Sequence, residues 1–255
     1  MKLKKSLGQH VLINQRLLQK ITLSLGEIKD RPVVEIGGGT GQLSQFLLPA
    51  KKLIVYEIAE NLAALLREKF PKIEVINQDF LQAELEKFKH NYLLIGNIPY
   101  FLTGRILRKV LREQNYPKAA VLTLQKEYGE KMLGRPKPNF WSNWLKVWGE
   151  ISKVCSIKAK NFLPAPQVDS IAIKIEFFRR PLLDEPENFA KFLKTVFRQP
   201  KRTVRNNLKH RFNSFSLSDQ TAIKAIENLR PHQLNFQQIF ELYDCLKKRG
   251  DFLPC

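Results

Sequence analysis

Cysteine is nearly absent from this 255-residue chain. Cys155, Cys245 and Cys255 are too few and too scattered to brace a disulfide framework or build a Cys-rich zinc site. Histidine is as sparse: none of the four stands beside a cysteine pair, so no metal-binding spacing emerges. No apolar run is long enough to span a bilayer, and the basic N-terminus lacks the apolar stretch of a signal peptide. These absences predict a soluble, cytoplasmic protein without a metal requirement. Internal repeats and low-complexity tracts are also missing, which argues against solenoids and disordered linkers. Acidic residues fall well short of balance: 24 Asp and Glu face 43 Lys and Arg, a formal net charge of +19. Such an excess favours a polyanionic partner, because Lys and Arg release counterions condensed on phosphates. With 44% hydrophobic residues the chain can bury a substantial core. Its length suits one ordinary domain and a smaller second one.

Short apolar runs alternate with amphipathic stretches, the pattern of a doubly wound α/β sheet. Strands are predicted over Arg31–Ile36, Leu53–Ile58, Ile73–Asn77, Tyr92–Gly96 and Ala119–Leu124. Helices fit between them at Gln42–Leu48, Glu60–Phe70, Thr103–Gln114 and Lys126–Leu133. Ile151–Ala159 and Val168–Phe178 are rich in β-branched residues and flank the turn Leu163-Pro164-Ala165-Pro166, which reads as a closing antiparallel hairpin. Beyond Arg179-Arg180-Pro181 the alternation stops. Asn188–Arg198, Thr203–His210, Asp219–Glu227 and Phe236–Lys248 look helical. The expected division is a first domain over 1–180 and a helical one over 181–255, with a basic stretch from Arg198 to Arg211.

Glu35-Ile36-Gly37-Gly38-Gly39-Thr40-Gly41 follows a strand and opens a helix. Glycine permits a sharp turn and close approach of a ligand to the backbone. A dinucleotide fingerprint needs G-x-G-x-x-G, but its third glycine would fall on Gln42 or Ser44, which excludes a nucleotide-dependent oxidoreductase. The spacing E-x-G-x-G-x-G instead resembles the first motif of class I methyltransferases. Glu57, ending the second strand, is placed to accept hydrogen bonds from both ribose hydroxyls of a cofactor. Asp79 follows the third strand, where methyltransferases carry the acid that meets the cofactor's adenine amine.

Gly96-Asn97-Ile98-Pro99-Tyr100 lies just beyond the fourth predicted strand and is the most informative run. It is similar to the N-P-P-Y type of motif in enzymes that methylate amino groups of planar bases. An adenine amine is a poor nucleophile because its lone pair is delocalised into the ring. Holding its protons with the Asn97 amide oxygen and the Ile98 backbone carbonyl favours a pyramidal nitrogen. Tyr100 can stack on the base. With an activated sulfonium methyl donor, positioning supplies much of the catalysis.

From Ser6 to about Leu246 the chain resembles the ribosomal small-subunit RNA adenine dimethyltransferases. Ser6-Leu7-Gly8-Gln9-His10-Val11-Leu12 matches a family segment that closes over the cofactor, with Val11 in place of the usual Phe. Leu124-Gln125-Lys126-Glu127 and Phe162-Leu163-Pro164-Ala165-Pro166-Gln167-Val168-Asp169-Ser170 match two further motifs. Phe197 to Leu208 resembles a basic family tail, interrupted by Pro200, which should break the helix there. Phe101 and the run Asn139-Phe140-Trp141-Ser142 depart from the family pattern.

The resemblance implies a mixed seven-stranded, Rossmann-like class I methyltransferase sheet with a small C-terminal helical domain. It implies S-adenosylmethionine bound by Gln9, His10, Leu12, Glu35, Gly37, Gly39, Gly41, Glu57, Ile58, Asp79, Phe80 and Asn97. Asn97, Ile98, Pro99, Tyr100 and Phe162 are the implied catalytic set, with Phe162 facing the base across from Tyr100. Lys201, Arg202, Arg205, Lys209 and Arg211 are the expected RNA contacts. The implied substrate is a pair of neighbouring adenines in small-subunit (16S) RNA, each dimethylated at N6 in a late pre-30S particle, by a monomeric enzyme. Two other readings stay open: a macrolide-resistance type acting on large-subunit RNA, and an RNA-binding assembly or transcription factor that kept the fold without catalysis.

Overall fold

The structure is a computed structural model that describes residues 10–88, 90–112, 116–209, 224 and 226–248. In chain order its strands are Val11–Leu12 (β1), Pro32–Ile36 (β2), Lys52–Tyr56 (β3), Glu74–Ile76 (β4), Leu93–Asn97 (β5), Ala119–Gln125 (β6), Gly149–Ile157 (β7), Phe162–Leu163 (β8) and Ser170–Phe177 (β9). Seven of them form one sheet in the order β4-β3-β2-β5-β6-β9-β7, and β1 pairs with β8 separately. The runs β2, β5 and β6 are buried on both faces, as parallel strands covered by helices must be, so they read as unbroken apolar stretches. From β2 through β6 the pairings are parallel; β9 runs antiparallel to β6, from Ala119↔Glu176 to Gln125↔Ser170. The sheet is therefore the mixed seven-stranded one expected.

The helices are Gln15–Leu23 (α1), Ser44–Leu47 (α2), Glu60–Lys69 (α3), Thr103–Arg112 (α4), Lys126–Met132 (α5), Phe140–Lys146 (α6), Pro186–Val196 (α7), Val204–Lys209 (α8) and Phe236–Lys248 (α9). Two of these are not among the helices expected from the sequence. Helix α1 starts at Asn14, whose side chain accepts from the Leu17 amide, and buries Leu18 and Ile21. Helix α6 starts at Asn139, where a capping box with Ser142 satisfies the free amides. The predicted Asp219–Glu227 helix lies mostly outside the described residues.

The packing divides the chain differently from a single break near Pro181. Residues up to Gly129 group with Glu150–Arg179, whereas Glu130–Gly149 groups with the part from Arg180 onward. The cause is α6, which buries Trp144 and Leu145 and packs on α7. In this second unit Phe189 of α7 meets Tyr243 of α9 edge-on at 5.1 Å, and both rings are almost fully buried. Pro200 sits in the turn between α7 and α8, as its missing amide requires. Buried Asn207 holds that turn, accepting from the Gln199 amide at 3.0 Å and donating to the Gln199 carbonyl at 3.1 Å.

The first unit carries the feature that positions a site. From β2 the chain winds outward through β3 to β4, then returns on the other side of β2 as β5. A crevice forms beyond the carboxyl ends of strands where the winding reverses. Gly37, Glu57 and Asn97 stand at those ends of β2, β3 and β5.

Candidate active site

A cavity of about 340 Å³ opens at this reversal. Gly37 and Gly39 of the glycine turn line it, and Gly37, Gly39 and Gly41 adopt φ of +71°, +55° and +80°, a region L side chains rarely enter. A Cβ on Gly39 would meet no atom within 4 Å, so its backbone faces open space. Gly41 differs: a Cβ there would strike the Phe70 ring at 2.4 Å, and Gly41 is not on the cavity wall. Glycine at this position lets the turn pack against Phe70.

Three acids line the wall: Glu35, Glu57 and Asp79. The Glu57 carboxylate accepts from the amides of Gly39 and Ala59, each at 2.9 Å, which fixes it beside the glycine turn. Asn77 secures the same segment by donating to the carbonyls of Glu57 and Ile58. Asp79 caps a short 3-10 turn, accepting from the Leu81 amide at 2.9 Å through one oxygen. Phe80 beside it packs edge-on against Tyr56 at 5.5 Å. Glu35 lies deepest. Burial pushes its carboxyl up to about 8, against the Ser44 hydroxyl that donates to it at 2.7 Å and with the neighbouring Glu57 carboxylate raising it further. At neutral pH Glu35 is therefore mostly protonated, and a cation brought beside it would draw it towards its charged form.

Asn97 projects from the end of β5 into the same cavity. Its amide nitrogen donates to the His10 carbonyl at 2.6 Å, which leaves the amide oxygen as the side chain's acceptor for a ligand. His10 in turn contacts the Pro164 carbonyl through Nδ1 at 2.8 Å. Asn14 donates to Asn161 at 2.9 Å, so the segment around β1 is tied to that around β8. Thus His10, Leu12, Gly37, Ile58, Phe80 and Pro99, predicted from separate motifs, converge on one wall with the three acids and Asn97.

Four further predicted residues are not seen on the wall. Phe162 is 3% exposed and belongs to the hydrophobic core with Leu12 and Cys155. It pairs with Leu12 across β1 and β8, and its ring is enclosed by the core. The Ile98 side chain is likewise buried, consistent only with a role for its backbone. Gln9 lies outside the described residues, and of Tyr100 only the backbone, in a 3-10 turn, is described. Sequence reading missed Gln78, Phe101 as a wall residue, and Arg105. Arg105 follows the Asn-Ile-Pro-Tyr run by a helical turn and carried no motif signal.

In the second unit Lys201, Arg202, Arg205 and Lys209 are exposed around α8. Arg205 lies 3.6 Å from Glu227. Arg211 falls outside the described residues. No group of acids, histidines and cysteines among the described residues could hold a metal ion. No described helix is long and apolar enough to cross a membrane.

The family model for ribosomal RNA adenine dimethylase matches residues 1–248. A ribosomal RNA small subunit methyltransferase A from Thermotoga petrophila is 34% identical over 251 residues, spanning 95% of this chain and 91% of that protein. One of the same name from Mesomycoplasma hyopneumoniae is 32% identical, spanning 94% and 95%. Among solved structures, a dimethyladenosine transferase from Plasmodium falciparum superposes with a TM-score of 0.81 at 24% identity, over 94% of this chain and 98% of that one, a likeness of fold. The 23S rRNA methyltransferase ErmE superposes with a TM-score of 0.77 at 25% identity, over 93% and 99%.

Proposed function

The chain belongs to the ribosomal RNA adenine dimethylase family, and we propose that it moves methyl groups from S-adenosylmethionine to the N6 amine of two neighbouring adenines in small-subunit ribosomal RNA. The observation that carries this reading is the meeting of Asn97 with Glu57 and Asp79 on one cavity wall. The wall suits the cofactor. Two carboxylates fixed by backbone amides can accept from hydroxyl and amine donors, the glycine turn leaves room, and the volume is that of a small-molecule site. Glu57 would hold the ribose and Asp79 with Phe80 the adenine, while neutral Glu35 lies ready to face the cofactor's positive charge.

When bound, the cofactor supplies a methyl group on a positively charged sulfur. The chain's own residues do the positioning. The free Asn97 oxygen accepts one proton of the target amine, and the Ile98 carbonyl is assigned the other. Held so, the nitrogen directs its lone pair away from the ring plane. Tyr100 fixes the base plane by stacking, and the cavity limits water around the reacting atoms.

Exposed Lys201, Arg202, Arg205 and Lys209 are assigned to RNA phosphates, which makes the helical unit the RNA-binding part. The enzyme acts as a monomer on a pre-30S particle in the cytoplasm. Likeness to a 23S rRNA methyltransferase supports a second reading, methylation of large-subunit RNA. The curated relatives named for the small subunit, together with the basic tail after α7, favour the first. Transfer of labelled methyl to separated, unmethylated subunits decides between them. Label in small-subunit adenine is the expected result; label confined to the large subunit selects the second reading, and no label in either overturns both.

A further inference from the structure

We propose that Phe101 and Arg105 form a clamp at the mouth of the cavity that receives the target nucleotide, the ring stacking on its base and the guanidinium pairing with its phosphate. The proposal rests on the RNA methylation reading above and assigns two residues which that reading does not use.

Phe101 lies on the cavity wall and is 69% exposed, whereas the wall's other described aromatic residues, Tyr56 and Phe80, are 2% and 5% exposed. Its ring thus stands open where a planar ligand would enter. A base extruded from its stack loses stacking energy, which an exposed aromatic face can return. Phe162, 3% exposed in the strand paired with β1, offers no such open face. Phe101 follows Asn97 by four residues, on the turn that leads into α4.

Among the described residues Arg105 is the single lysine or arginine on the wall, which otherwise carries the acids Glu35, Glu57 and Asp79. No carboxylate among the described residues lies within ion-pair distance of it. It comes four residues after Phe101, at the start of α4, and both side chains line the same cavity. An exposed ring and an exposed guanidinium on one cavity wall match the two parts of a single-stranded nucleotide, its base and its phosphate.

The test uses the full chain, unmethylated small subunits and saturating labelled S-adenosylmethionine, with cofactor affinity measured separately by calorimetry. Phe101→Ala should lower kcat/KM for subunits by between about 5- and 150-fold, the range for loss of one base stack. Phe101→Trp should recover most of it. Arg105→Ala should raise KM for subunits and reduce the salt slope by about one phosphate's share, with Arg105→Lys milder. Cofactor affinity should stay within about twofold in all four variants. Phe101→Ala with unaltered kcat/KM overturns the clamp, as does an Arg105→Ala that loses cofactor affinity while its subunit KM stands, since the cation would then serve the cofactor carboxylate. Should the wild type transfer no methyl, the methylation reading fails by itself, and filter retention of subunits still judges the clamp. Weaker retention by both alanine variants supports it, and equal retention sinks it.

Discussion

The cavity of the sheet unit and the basic face of the helical unit use charge in opposite ways. In the cavity, Glu57 and Glu35 are 4% and 1% exposed, and each is held by a short hydrogen bond. Around α8, Lys201, Arg202 and Lys209 stand in solvent. Buried acceptors are preorganised, respond little to salt and discriminate by geometry. Exposed cations discriminate poorly but gather a polyanion from a distance, and salt weakens them. The proposed function needs both, and this chain places them in separate units.

The largest effect expected on the cavity side comes from Asn97. Asn97→Ala should weaken cofactor affinity far less than it lowers methyl transfer, since the role proposed for the residue is toward the substrate amine. Methyl transfer should fall by about 10²–10³, the scale of losing one preorganised hydrogen-bonding group. Single-turnover methylation of small subunits at saturating cofactor reads this directly, and near-normal transfer would remove Asn97 from the chemistry. The Asn97–His10 bond sharpens the test: the mutation also frees the β1 segment, so protection of the His10–Leu12 amides should drop. In the same assay Tyr100→Phe should be mild and Tyr100→Ala severe if stacking is what the ring supplies. A severe loss in Tyr100→Phe would move the role to the hydroxyl.

Glu57 is next. Glu57→Ala should weaken S-adenosylmethionine binding by about 1.5–3 kcal/mol, the worth of charge-assisted hydrogen bonds. Calorimetry in low and high salt should give nearly the same loss, because the group is enclosed. A loss that vanishes in high salt would contradict the contrast between the units.

On the basic face, reversing Lys201, Arg202, Arg205 and Lys209 together should weaken subunit binding. Its salt dependence should flatten by about one unit of slope for each phosphate deprived of its cation. Arg205 should contribute least when changed singly, since it already faces Glu227. A quadruple variant with the wild-type slope would make this an ordinary solvated helix face.

Much of the sheet side was legible because its signals are local. Branched apolar runs give strands, and three glycines with positive φ need little besides the turn that they form. Glu57, Asp79 and Asn97 each sit at a strand end, so once the strands are placed in a wound sheet their convergence follows. What escaped depends on residues that meet from far apart in sequence. Helix α1 has a good cap, but its apolar face is explained by the core that it covers. The segment around α6 lies between two strands of one unit and packs with the other, a choice made by Trp144 and α7 and not by any break in composition. Phe162 and Leu163 are adjacent in a two-residue strand, so alternation permits either to face inward. Pairing with Leu12 selects Phe162, and Leu163 is left 61% exposed.

The last prediction leaves the substrate aside and concerns Glu35 and pH. Its carboxyl titrates near 4.5 in an unfolded chain and near 8 in the fold, with burial the main cause. Between those values the folded state keeps a proton that the unfolded state has released. Stability of the cofactor-free protein should therefore fall as pH rises from about 4.5 to about 8, with no further loss from this group above that. Full linkage of one proton is worth about 1.4 kcal/mol per pH unit, or a few degrees in melting temperature for a chain of this size. Glu35→Gln keeps the shape and removes the titration. Relative to wild type, its melting temperature should rise progressively from pH 6 to pH 8 and then level off. Saturating S-adenosylmethionine should shrink the difference, because a positive charge beside the ionised carboxyl compensates its burial. Melting curves at pH 6, 7, 8 and 9, with and without cofactor, give the comparison. Parallel pH profiles for the two proteins without cofactor would mean that Glu35 is solvated enough to ionise freely. The buried half of the contrast would then lose its deepest member.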